Sequence, residues 1–108
     1  MKIEQVRFED RTEWRLGGKL HREDGPAVED AYGYKEWYLN GKRHREDGPA
    51  YERASGTKEW YLNGELHRED GPAIEYTDGS KAWYLNGEEL SYEEFISYVR
   101  QKKLGCLV

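Results

Sequence analysis

Lys58-Glu59-Trp60-Tyr61-Leu62-Asn63-Gly64, with His67-Arg68-Glu69-Asp70-Gly71-Pro72-Ala73 two residues further on, decides how the rest of the chain reads. Lys35 to Ala50 repeats it almost letter for letter, Glu13 to Ala27 is a looser copy, and Lys81 to Gly87 is a truncated one. The tryptophans fall at Trp14, Trp37, Trp60 and Trp83, each 23 residues apart. A fixed period of this length means stacked supersecondary units rather than one closed core.

Each unit contains three turn signals. Gly17-Gly18, Asn40-Gly41, Asn63-Gly64 and Asn86-Gly87 supply two central residues that tolerate φ > 0, which specifies a type I′ hairpin. In Asp24-Gly25-Pro26 and its copies at Asp47 and Asp70, Gly is expected to supply an unusual φ and Pro to separate two strands. Tyr32-Gly33-Tyr34, Ser55-Gly56-Thr57 and Asp78-Gly79-Ser80 form the third set. The fold class that follows is mainly β: a single-layer antiparallel β-meander of 23-residue hairpin repeats with a C-terminal capping α-helix.

A two-residue Asn63-Gly64 loop sets Tyr61 opposite Leu66 and Trp60 opposite His67. The period then pairs Trp14 with His21, Trp37 with His44, and Trp83 with Leu90. An Asp78-Gly79 turn of the same size would set Ile74 beside Trp83, and by the period Tyr51 beside Trp60 and Val28 beside Trp37. One face would then carry a stripe of Trp, Leu and Val/Tyr/Ile, with equivalent residues about 10 Å apart.

One repeat domain is expected over 1–108: a degenerate N-terminal unit over 1–12, repeats over 13–90, and a C-terminal helix over 91–104. Lys2 to Phe8 alternates apolar and polar residues, as a strand with one wet face should. Ser91-Tyr92-Glu93-Glu94 reads as a capping box, and Phe95, Ile96 and Val99 follow at helical spacing. Gly105 is placed to end that helix, which would lid the exposed end of the stripe.

Hydrophobic and charged residues each make up 36% of the 108, so the core must be thin and must lean on a few large aromatic side chains. Regular Trp-Tyr-Leu segments argue against disorder. The net charge of −5 is spread with mixed signs, leaving neither the continuous acidic stripe of a DNA mimic nor the basic stripe of a nucleic-acid binder. An acidic chain also fits anionic membranes poorly. The single cysteine, Cys106, is expected as an exposed tail residue, which suits a reducing compartment. Met1-Lys2-Ile3-Glu4-Gln5 has no apolar run, so neither a signal peptide nor a membrane span is expected and the location is read as cytoplasmic.

The run from Glu59 to Lys81 resembles the MORN repeat, which also spans about two dozen residues with a Trp, an Asn-Gly-type turn and an Asp-Gly turn before the next strand. The likeness covers Glu13 to Gly87. It implies an elongated single-layer meander engaged in protein contacts, dimerisation or lipid association. Where the family has Gly-x-Gly, this chain has His67-Arg68-Glu69-Asp70-Gly71-Pro72-Ala73, so it is a variant. That form resembles small repeat proteins of bacteria and bacteriophages, which implies one narrower role: a bacteriophage-encoded inhibitor of a host bacterial enzyme or defence system.

The His-Arg-Glu-Asp segments are the only candidate for chemistry, because imidazole and carboxylate serve as metal ligands and as acid/base groups. Neighbouring histidines about 10 Å apart cannot share an ion held by bonds of about 2 Å. Leu90 in the histidine's place suggests a packing position. Arg22/Glu23, Arg45/Glu46 and Arg68/Glu69 are expected to form ion-pair ladders between units. No enzyme motif, cofactor or metal is expected. A small metal-dependent enzyme or binder built on His44 or His67 with Asp47 or Asp70 is the contrasting reading. Tyr38, Tyr61 and Tyr84 form an aromatic row opposite the tryptophans, interleaved with Arg43, Leu66 and Glu89. Such Tyr and Arg rows favour protein interfaces. The expected function is therefore a non-enzymatic protein-interaction module that binds a partner protein or self-associates through Tyr38, Tyr61, Tyr84, Arg43, Arg45 and Arg68, without nucleic acid or membrane.

Overall fold

The computed structural model describes residues 2–105, and Cys106 lies outside them. β1 (Glu4–Arg7) and β2 (Arg11–Leu16) pair antiparallel, Val6 opposite Glu13. β2 then forks. Its first half pairs with β4 (Val28–Asp30) and its second half with β3 (Lys19–Leu20). The fork recurs one period later. β5 (Lys35–Glu36) runs in the main sheet between β4 and β8 (Tyr51–Glu52), while β6 (Tyr38–Leu39) and β7 (Lys42–Arg43) make a side hairpin. β9 (Lys58–Glu59) and β12 (Ile74–Glu75) extend the main sheet, with β10 (Tyr61–Leu62) and β11 (Glu65–Leu66) as the next hairpin. β13 (Lys81–Leu85), β14 (Glu88–Leu90) and α1 (Tyr92–Lys103) follow. The result is an open antiparallel meander of hairpins with one helix at its end, 18 Å thick at its thinnest.

Each fork sits at a tryptophan. The Trp60 N–H donates to the Ala73 carbonyl at 2.8 Å, toward the main sheet, and its carbonyl accepts from His67 N–H at 3.0 Å, toward the hairpin. The hairpin turns are as the Asn-Gly pairs require: φ is +51° at Asn63 and +85° at Gly64. Tyr61 faces Leu66 and Trp83 faces Leu90, as the loop length dictates.

The third turn overturns one expected register. Tyr76 N–H donates to Ser80 O at 3.0 Å and Gly79 N–H to Tyr76 O at 3.0 Å, so the loop holds three residues, Thr77 to Gly79, with Gly79 at φ +91°. Ile74 consequently pairs with Ala82, not Trp83; Tyr51 pairs with Glu59, not Trp60; Val28 pairs with Glu36, not Trp37. A slip of one residue moves a whole strand's side chains to the other face. Val28, Tyr51 and Ile74 therefore leave the tryptophan face, and the same register sets Ala27, Ala50 and Ala73 among the indoles. These three alanines are the 0% exposed residues of the sheet, whereas the tryptophans are only half-buried. The core is thus filled by small residues between large ones, and among the described residues no large side chain is fully buried.

Gly25, Gly48 and Gly71 are not in the left-handed region, contrary to the expectation of an unusual φ. Their reason is space. A Cβ at Gly48 would stand 2.8 Å from the guanidinium carbon of Arg45, and one at Gly71 would stand 2.9 Å from that of Arg68.

The helix takes over where the last unit lacks its His-Arg-Glu-Asp segment. Ser91 caps it with its side chain accepting from Glu94 N–H, and Glu94 returns the bond to Ser91 N–H at 2.8 Å. Tyr92 and Phe95 pack on Trp83 at ring distances of 5.0 and 6.3 Å. Phe95 is the buried anchor of that contact.

Candidate functional site

The sheet presents two different faces. On the tryptophan face the His-Arg-Glu-Asp-Gly-Pro segments curl back over the indoles. Arg22 lies 3.9 Å above Trp14, Arg45 3.9 Å above Trp37, and Arg68 3.9 Å above Trp60. A cation over an indole is drawn to the negative ring face. Each guanidinium is further held. Arg45 donates to Asp47 at 3.0 Å, to the Pro49 carbonyl at 3.0 Å and to Glu52 at 3.3 Å. Arg68 does the same with Asp70, Pro72 and Glu75. These ion pairs run within a unit, to the Asp two residues on and the Glu seven residues on. The expected ladder to Glu46 and Glu69 between units is not formed.

Arg45 and Arg68 are therefore separated from the other proposed contact residues by the thickness of the sheet, with their guanidinium faces already occupied by indole. Glu46, Asp47, Glu69 and Asp70 instead line one groove of about 620 Å³, and Glu23, Asp24, Glu46 and Asp47 line a second of about 570 Å³. Arg45 and Arg68 line the first groove and Arg22 and Arg45 the second, each paired to the Asp two residues on, so folding stacks carboxylates and guanidinium groups of successive units into one row of mixed sign. Among the described residues, no three His, Cys, Asp or Glu side chains come close enough to hold a metal ion.

The histidines join successive hairpins. The Asn40 N–H donates to His21 Nδ1 at 2.9 Å, Asn63 N–H to His44 Nδ1 at 3.0 Å, and Asn86 N–H to His67 Nδ1 at 2.9 Å. Nothing in the sequence pattern announced these bonds, because each partner lies 19 residues away.

The opposite face holds Tyr38, Tyr61 and Tyr84, paired across their hairpins with Arg43, Leu66 and Glu89. Two of the rings are anchored by carboxylates that the sequence reading missed. Tyr38 hydroxyl donates to Glu36 at 2.9 Å and Tyr61 hydroxyl to Glu59 at 2.8 Å. The signal lay in Glu36-Trp37-Tyr38 and Glu59-Trp60-Tyr61, since residues two apart in a strand share a face. Burial, then the bond to Glu59, pushes the Tyr61 phenol up to about 12. Glu59 also accepts from Arg53 at 2.9 Å. Glu13 is the first member of this column. Burial acts to raise its carboxyl, but hydrogen bonds from Arg11 and Arg15 outweigh it and hold the group below its ordinary value.

Arg43 bridges units on this face. It donates to Glu36 at 3.0 Å while its guanidinium carbon sits 4.3 Å from the Tyr51 ring and 5.3 Å from the Tyr61 ring. Tyr84 stands apart, because Ala82 occupies the position of Glu36 and Glu59. The helix lies against Trp83, on the other side, so among the described residues no helix covers the tyrosine row.

No protein-family model matches the chain, and no curated protein or solved structure matches it either. Among the described residues, no helix is long and apolar enough to cross a membrane.

Proposed function

We propose that this chain is a non-enzymatic interaction module that recognises a partner protein, or a second copy of itself, through the tyrosine face. The observation that carries this reading is the anchored row itself. Tyr38 and Tyr61 recur one unit apart with their hydroxyls tied to Glu36 and Glu59, and Arg43 is wedged beside them. Rings held in this way lose little conformational freedom on binding, which removes one of the costs a contact surface must overcome. Large aromatic rings and an arginine are the side chains that dominate interface energetics. An acidic chain working in the cytoplasm of a bacterial cell suits this reading, and a phage inhibitor of a host enzyme is a narrower form of it.

Tyr84 and Glu89 extend the row without anchoring the sheet, so they serve to test it. The intact protein and a Tyr84→Ser/Glu89→Lys variant are sized by sedimentation and used as bait in bacterial lysate, beside a Glu46→Lys/Asp47→Lys control on the other face. Self-association or capture is expected for the intact protein and the control, and is lost in the tyrosine-face variant. A monomer that captures no protein overturns the reading. Loss confined to the control moves the binding surface to the tryptophan face.

A further inference from the structure

We infer that His21, His44 and His67 form a set of proton-sensitive latches, each holding one hairpin to the next and each opened when its imidazole becomes an imidazolium. All three histidines of the chain make the same bond, Nδ1 accepting a backbone N–H from the following hairpin. An imidazole nitrogen that accepts must carry a lone pair, so the proton of the neutral ring sits on Nε2. In the imidazolium both nitrogens are donors. Protonation therefore sets an N–H against the Asn N–H and leaves both without an acceptor.

The placement of the histidines follows this role. They occur in the three units that have a successor. In the last unit, which has none, Leu90 stands opposite Trp83. There, among the described residues, no following hairpin offers an N–H, and the Trp83 indole is met by Tyr92 and Phe95 of α1 instead.

Each latch works beside two backbone bonds that do not titrate. At the first junction these are Gly41 N–H to Leu20 O at 2.9 Å and Arg22 N–H to Tyr38 O at 3.1 Å. Protonation accordingly loosens a junction without dissolving it. Because each repeat contacts only its neighbours, three protons act on three separate junctions of one array.

The Glu69 carboxylate accepts from His67 Nε2–H at 3.1 Å in either state, and the Glu46 carboxylate lies 3.8 Å from His44 Nε2. Opposing them at His67 are burial and then the Lys102 ammonium, with Glu65 acting the other way, and the balance lowers its pKa. Arg45, Asp47, Arg68 and Asp70 complete the charges of that groove, where each arginine is tied to an aspartate. Arg22, Glu23 and Asp24 flank His44 from the preceding unit. His21 has no ion-pair partner among the described residues and is 7% exposed. For His67 the sign is fixed: a lowered folded value gives stability that is complete above the ordinary imidazole range and is lost as pH falls through the lowered value.

Carboxylates titrate near 4, so a window from about pH 7.5 to about pH 5.5 isolates the histidines. Imidazole nitrogen shifts of ¹⁵N-labelled protein are read first, at the upper end. The expected result is unprotonated Nδ1 and protonated Nε2 on all three rings. Amide-exchange protection at Asn40, Asn63 and Asn86 is then followed across the window and falls by about tenfold as the rings charge. The His21→Asn/His44→Asn/His67→Asn variant offers an oxygen near the Nδ1 position and does not titrate, so its protection is flat. Should that variant not fold, His44→Asn alone abolishes the pH dependence at Asn63 and leaves it at Asn40 and Asn86. The proposal is overturned by Nδ1-protonated rings at the upper pH, by rings still neutral at the lower pH, or by charged rings with unchanged protection.

Discussion

The guanidinium of Arg68 lies 3.9 Å above the Trp60 indole, and Gly71 leaves the space for it. Arg68→Ala removes this stack together with the bonds to Asp70, Pro72 and Glu75. A loss of about 1–2 kcal/mol is expected for a partly desolvated cation–π contact. Gly71→Ala should cost a similar amount, since its methyl would displace the guanidinium while its backbone suits any residue. The two losses share one cause, so Arg68→Ala/Gly71→Ala should cost little more than either single change. Urea titration of the four proteins checks this. Additive losses would show that the glycine serves the turn rather than the stack.

Tyr61 is the anchored ring whose chemistry is easiest to read. Its phenol is pushed up to about 12, by burial first and by Glu59 second. A raised folded value means stability that is intact below the ordinary tyrosine range and is lost as pH rises toward 12. Ultraviolet titration should show a late-ionising group of phenols, raised by burial first, that loses one member in Tyr61→Phe. That variant should also lose about 1.5 kcal/mol, the value of a hydrogen bond to a charged group. A full set of phenols titrating together in the intact protein would contradict the anchored ring.

Ser91 starts the helix that covers Trp83. Its side chain and that of Glu94 satisfy each other's backbone N–H groups. Ser91→Ala should cost about 1 kcal/mol. The loss should appear as increased exchange at the Tyr92 to Phe95 amides, with the Asn40 and Asn63 amides unchanged. Spread of the loss along the array would mean that the helix supports the whole sheet rather than its last unit.

Much of this was legible in the chain. Asn63-Gly64 dictates its turn because both residues accept positive φ, and that turn forces Trp60 opposite His67. Ser91 and Glu94 announce the helix start for an equally local reason. The Asp78-Gly79 turn was not legible in the same way. A two-residue and a three-residue loop share its Asp-Gly signature, and the difference moved Ile74 from one face to the other.

The 23-residue period, the hairpin turns, the mainly β meander and the terminal helix can all be read from the chain, because each follows from the conformational preferences of residues near one another. Which residues meet across units is settled by folding. The alanines among the indoles and the histidines bonded to the next hairpin depend on strand register, and the arginines stacked on tryptophan depend on the return path of Asp-Gly-Pro. Where one loop length fits the turn, as at Asn63-Gly64, the letters fix the register; at Asp78-Gly79 two loop lengths share one signature, and only the backbone hydrogen bonds of the folded sheet choose between them.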